Sequence, residues 1–305
     1  MLTDYRSSYR EPDDFDDFWS RTIELTRDHD IAVSTTPIET DLSTIEVHDL
    51  TFAGFGGHPI RSWLRLPRHR TGQLPAVVEF HGYAGGRGAP IDDLLWSSAG
   101  YAHLVMDVRG CVTRGIEHRD GYFYRRVYAD AVRAVDAVRA LDFVAADRVA
   151  VIGNSQGAGI ALAVAGLVPE VCAAHFQAPF LSDIRQATRL VCTAPYSEIT
   201  GYLAVHRDMA EQVFGTLAYF DGIAFARRAD APAWFSTGLL DDVVPSVAVF
   251  GAFHEYRGPK QIQVWQHNGH EAGGADDLAT ALAAFRTFLH RNEAQQCSSP
   301  TIPPR

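Results

Sequence analysis

The sequence predicts an α/β fold, with a mostly parallel sheet covered by helices on both faces. Two observations carry this. Short apolar runs alternate with helical stretches along most of the chain, the rhythm of strands joined by crossover helices. In addition, Gly153-Asn154-Ser155-Gln156-Gly157 lies between the apolar run Arg148–Ile152 and the helix-like run Ala158–Ala165. A buried strand must turn sharply into a helix there, and flanking glycines let the backbone do so without a Cβ clash.

Taken in order, Asp13 to His29 carries apolar residues at Phe15, Phe18, Trp19, Ile23 and Leu25 behind Pro12, which predicts an amphipathic helix in an N-terminal extension of about 30 residues. Ile45–Phe52 and Ile60–Leu66 read as extended runs joined by the Gly-rich link 53–59, an antiparallel entry to the sheet. The later strands are Ala76–Phe80, Ala102–Met106, Val149–Ile152, Ala233–Ser236 and Gln261–Trp265. The helices between and after them are Tyr128–Phe143, Gln156–Val168, Val247–Tyr256 and Asp277–Leu289. Residues 180–230 break the rhythm with amphipathic pieces and read as a helical insertion before the strand that carries the acid. The expectation is one domain over 1–292 and a flexible tail at 293–305, which carries Ser298, Ser299, Pro300, Pro303 and Pro304.

With 305 residues and 47% hydrophobic content the chain can bury a full core. A net charge of −10 without a basic block argues against a nucleic-acid surface. The N-terminus lacks an apolar leader and no window approaches the ~18 apolar residues of a membrane span, so a cytoplasmic protein with no membrane partner is expected. Four cysteines without C-x-x-C spacing point to reduced thiols, Cys111 among them.

Ser155 is the candidate nucleophile, and a serine needs a histidine base and a carboxylate that orients it. In α/β-hydrolases these follow in the order serine, acid, histidine, each at the end of a late strand. Asp241 and Asp242 follow the run 234–240, and His270 follows 264–269, with His267 as a competitor. The loop His81–Gly88 supplies the second oxyanion donor, which assigns the backbone amides of Tyr83 and Gln156 to that task. That loop lacks the G-x-x-x-x-G-K-[ST] pattern of a phosphate cradle; His81 is either a competing base or a residue that shapes the loop. His267, His270 and Glu271 match no zinc spacing, so neither metal nor cofactor is expected.

These residues resemble those of carbohydrate esterase family 7, the acetyl xylan esterase and cephalosporin C deacetylase group of the α/β-hydrolases. The markers are the helix start Pro12–Trp19, His81–Gly88, Asp107-Val108-Arg109-Gly110, Gly153–Gly157, Tyr219-Phe220-Asp221, Gly238–Asp241 and His270–Gly274. The resemblance implies an α/β-hydrolase fold, a Ser155–His270–Asp241 triad, an oxyanion hole from Tyr83 and Gln156, and a cytoplasmic homo-oligomer, commonly a hexamer. Two departures from the family pattern stand out: Cys111-Val112 replaces Gln-Gly, and Ser246 replaces a proline. The expected activity is a serine deacetylase acting on acetyl or other short-acyl esters of carbohydrate or small-molecule alcohols. The alternatives are a deacetylase, acyltransferase or thioesterase specialised for a natural-product intermediate, and a non-catalytic binding protein.

Overall fold

A computed structural model describes residues 2–289 apart from Arg109, and its strands form one sheet. In chain order they are β1 (Ser34–Ile38), β2 (Ile45–Ala53), β3 (Pro59–Pro67), β4 (Leu74–Phe80), β5 (Ala102–Met106), β6 (Val144–Asn154), β7 (Ala173–Gln177), β8 (Ala233–Gly238) and β9 (Lys260–Trp265). The α-helices are α1 (Phe15–Arg27), α2 (Leu95–Ser98), α3 (Phe123–Arg139), α4 (Gln156–Leu167), α5 (Ile184–Leu190), α6 (Tyr196–Val205), α7 (Ala210–Leu217), α8 (Gly222–Ala226), α9 (Ser246–Glu255) and α10 (Ala275–Leu289). Across the sheet the order is β1-β2-β3-β5-β4-β6-β7-β8-β9. The first four in that order pair antiparallel, and β5 through β9 run parallel. This is the α/β-hydrolase architecture that the sequence predicts.

Parallel strands are buried on both sides, so they read as unbroken apolar runs. In β4, Val78 faces a core shared with α1, α3, α4 and α9, while Val77 faces a second one closed by Trp96 of α2 and by Ala281 and Phe285 of α10. The helix α4 is apolar all round and packs between β6, β7 and α8.

Three boundaries differ from expectation. The helix expected to run to Phe143 stops at Arg139, because the Phe143 carbonyl accepts the Leu74 amide at 2.8 Å and Val144 already pairs with β4. The strand β7 is missing from the predicted set: Ala-Ala-His-Phe-Gln has little β preference, and burial between β6 and β8 makes it a strand. Pro12 lies before the helix, which starts at Phe15.

The helices α5 to α8 form the insertion between β7 and β8. Of its apolar residues, Tyr196, Ile199, Leu217 and Phe220 are buried within this chain, Phe220 under Phe18 and Trp19 of α1, while Tyr202, Leu203 and Phe214 stay partly exposed. Polar ties join the same parts: Tyr9 Oη donates to the Ala218 carbonyl at 2.7 Å, Trp19 Nε1 to the Tyr219 carbonyl at 2.9 Å, and Arg228 pairs with Glu11 at 2.8 Å. The N-terminal extension therefore clamps the insertion. Among the described residues no helix is long and apolar enough to cross a membrane. The expected tail at 293–305 lies outside the described residues.

Candidate active site

Ser155 occupies the one-residue turn between β6 and α4 with φ 55° and ψ −119°, a conformation that costs a non-glycine residue on the order of 1–3 kcal/mol. Surrounding backbone holds it there. The Ser155 amide donates to the Gln177 carbonyl at 2.9 Å, and its own carbonyl accepts from Phe180 at 3.0 Å and Gly159 at 3.1 Å. Both motif glycines are required by space: a Cβ on Gly153 would lie 2.2 Å from the Gly157 carbonyl carbon, and one on Gly157 would lie 1.8 Å from the Phe80 carbonyl oxygen. The serine is nearly buried, at 5% exposure.

Asp241 follows β8 and His270 follows β9, and the two loops pack backbone on backbone. A Cβ on Gly238 would meet the Gly269 carbonyl oxygen at 2.2 Å, and the Leu240 amide donates to Asn268 at 3.0 Å. This brings His270 Nδ1 to 2.9 Å from Asp241 Oδ2. The other carboxylate oxygen of Asp241 accepts the Val243 and Val244 amides at 2.8 and 2.9 Å, so the group is fixed before the imidazole reaches it. The neighbouring Asp242 is exposed and its carboxylate has no partner among the described residues. Neither aspartate caps α9, whose cap position is Pro245, and Ser246 Oγ donates to the Gly238 carbonyl at 2.8 Å.

The histidine loop has its own supports. Glu271 Oε1 accepts from Asn268 Nδ2 at 3.0 Å and from the Gly269 amide at 3.2 Å, while Gln177 Nε2 donates to the Glu271 carbonyl at 2.5 Å. Buried Asp277 accepts from the Gly273 amide, Trp265 Nε1 and Ser236 Oγ, which anchors the start of α10. His267 is exposed and makes none of these contacts. His81 Nε2 is buried without a hydrogen-bond partner among the described residues, and no carboxylate orients it.

The Tyr83 and Gln156 amides donate no hydrogen bond among the described residues. The Tyr83 hydroxyl donates to Glu198 Oε2 at 3.0 Å and accepts the Val112 amide at 3.3 Å, and burial pushes its pKa up to about 12. Tyr124 Oη donates to Gln156 Oε1 at 2.6 Å, and Tyr122 Oη to the Val112 carbonyl at 2.9 Å. Val112 is thus held through its main chain, which any residue supplies. Gly110 lies against both oxyanion candidates: a Cβ there would stand 2.6 Å from the Tyr83 ring and 3.1 Å from Gln156 Oε1. The departure at Cys111-Val112 accordingly borders the site. No direct hydrogen bond joins Ser155 Oγ to His270 among the described residues, and such bonds often tighten only with substrate. No group of three metal-binding side chains gathers among the described residues.

A sharp turn that carries a serine, a hydrogen-bonded Asp and His at the ends of the last two strands, and a parallel sheet beneath them define an α/β-hydrolase. The sequence profile of the acetyl xylan esterase (AXE1) family matches residues 1–286, and the chain belongs to that family. It is 33% identical to an acetyl xylan esterase from Paenibacillus sp. R4, with a TM-score of 0.89 over 93% of this chain and 98% of that one. It is 31% identical to acetyl xylan esterase 1 from Thermoanaerobacterium sp. JW/SL YS485, with a TM-score of 0.86 over 93% and 97%. An acetyl esterase, Axe7A, from Xylanibacter ruminicola is 27% identical over 293 residues; the match covers 86% of this chain and 64% of the length of that relative.

Proposed function

We propose that the chain is a serine acetyl esterase that removes acetyl or similarly short acyl groups from carbohydrate or other small-molecule alcohols. The observation that carries this reading is the 2.9 Å contact between His270 Nδ1 and Asp241, together with a serine held at positive φ in the turn after β6. That contact leaves Nε2 as the proton acceptor for Ser155. The serine oxygen attacks the acyl carbon, and the Tyr83 and Gln156 amides stabilise the oxyanion. His270 passes the proton to the departing alcohol, and water then cleaves the acyl-enzyme by the same route. Family membership and the names of the two solved relatives support the acetyl group. The reading requires no metal or cofactor.

Ser155→Ala should leave a folded protein that loses nearly all esterase activity, and a serine-directed organophosphate should label Ser155 in the wild type. Labelling elsewhere with an active Ser155→Ala variant sinks the mechanism. Across p-nitrophenyl esters, kcat/KM should fall about 10 to 200-fold per misfitting methylene beyond acetate. A maximum at hexanoate or longer removes the acetyl assignment and leaves the serine mechanism standing.

A further inference from the structure

A cleft of about 630 Å³ opens between the start of β3, the end of β5 and the flank of α3. Arg61, Arg114 and Arg126 line it. The guanidinium groups of Arg114 and Arg126 form no salt bridge or hydrogen bond with any described residue; Arg114 lies over the Phe123 ring at 5.6 Å and Arg126 over the Phe55 ring at 5.9 Å, and Arg126 is near enough to Asp130 to lower its pKa. Arg61 pairs with Asp49, a carboxylate that Arg87 also holds at 2.8 Å. In a chain of net charge −10, two guanidiniums on one cleft, neither held by a salt bridge, form a local positive field that solubility does not require.

Two carboxylates also line the cleft, Asp107 and Asp130. Asp130 is buried, accepts the Phe55 amide at 2.6 Å, and burial pushes its pKa up to about 7. Well below neutral pH it is mostly protonated and cancels little positive charge, which leaves Asp107 as the opposing carboxylate on the cleft. The cleft lies near the serine turn: Gly110, on its wall, packs against the side chains of Tyr83 and of Gln156, the residue after Ser155. A volume of this size takes a group as large as a sugar ring.

We propose that this cleft is a subsite for an anionic group, a carboxylate or phosphate, carried by the alcohol half of the ester cleaved at Ser155, with Arg114 and Arg126 as its binding residues. The inference rests on the esterase reading above. Guanidinium groups suit these anions because their donors match two oxygens at once.

The test compares 4-acetoxybenzoate with its neutral analogue 4-acetoxybenzamide in the wild type and in Arg114→Gln/Arg126→Gln. The anionic-to-neutral ratio of kcat/KM should fall at least about 10-fold in the variant, mainly through KM, with p-nitrophenyl acetate turnover unchanged. Inorganic phosphate should inhibit 4-acetoxybenzoate hydrolysis competitively and spare p-nitrophenyl acetate. Calorimetry with 4-hydroxybenzoate on the Ser155→Ala protein reads the subsite without turnover, and affinity should drop when both arginines are replaced. An unchanged ratio together with unchanged calorimetric affinity overturns the subsite while neutral-ester hydrolysis keeps the esterase reading intact. Phosphate that alters p-nitrophenyl acetate turnover overturns the placement in favour of a free-anion effector site. Loss of every ester activity in the wild type defeats the esterase reading, and the calorimetry then decides the anion site alone.

Discussion

The side chain of Gln177 donates to the Glu271 carbonyl at 2.5 Å while the Gln177 main-chain carbonyl accepts the Ser155 amide at 2.9 Å. One residue at the end of β7 thereby fixes the serine turn relative to the histidine loop. Gln177→Met keeps the volume and removes the amide. It should lower kcat about 10-fold or more, because the Glu271 carbonyl is released and His270 lies next to it in the chain. Steady-state kinetics with p-nitrophenyl acetate, alongside a thermal melt, checks this; wild-type kcat refutes the coupling.

The adjacent carboxylates should separate cleanly. Asp241→Asn removes the charge that holds His270 in its productive tautomer and should cut kcat by up to about 10⁴-fold, whereas exposed Asp242→Asn should change it little. The reverse ranking would move the acid to Asp242.

Two glycine substitutions should act in opposite directions. Gly157→Ala drives a Cβ to 1.8 Å from the Phe80 carbonyl oxygen, and only backbone movement relieves that contact, so stability and activity should both collapse. Gly201→Ala, exposed in α6 with nothing within 4 Å of its Cβ position, should stabilise by about 0.5–1 kcal/mol. Urea midpoints for both variants provide the measurement; a stable, active Gly157→Ala enzyme would show that the elbow has slack.

Asp130 predicts a pH dependence of stability. Its folded-state pKa, about 7, lies above the ~3.9 of a solvated aspartate. Between these values the unfolded chain has released the proton and the folded chain keeps it. The stabilisation from this group is complete below about pH 4, is lost as pH rises toward 7 at up to ~1.4 kcal/mol per pH unit, and changes no further above that. Asp130→Asn should remove this component, which unfolding free energies at pH 5, 6, 7 and 8 would reveal as a flatter profile; equal slopes would contradict it.

The sequence was legible where local chemistry and tertiary role coincide. Gly153 and Gly157 announce a turn that only glycine fits, and β4, β6 and β8 are apolar because both their faces are buried. The candidate acid and base, Asp241 and His270, stand out because each follows a strand end. By contrast, β7 is hidden: His175 and Gln177 interrupt its apolar pattern, and burial holds the imidazole neutral with a pKa lowered to about 4. Neither the Gln177 bridge nor the Tyr83–Glu198 link, which spans 115 positions, leaves a local signature. The burial of Phe220 is hidden likewise, since nothing in the insertion's own segment shows that α1 covers it.

The contact between Gly157 and the Phe80 carbonyl also orders events in time. The turn at Ser155 is unfavourable by itself and gains its supports from Gln177, Phe180 and β4, segments that come together only when the parallel sheet has closed. A refolding chain will regain helix signal before it regains a nucleophile. Recovered turnover is consequently a late clock of folding, and a trapped intermediate with native-like secondary structure would be catalytically silent.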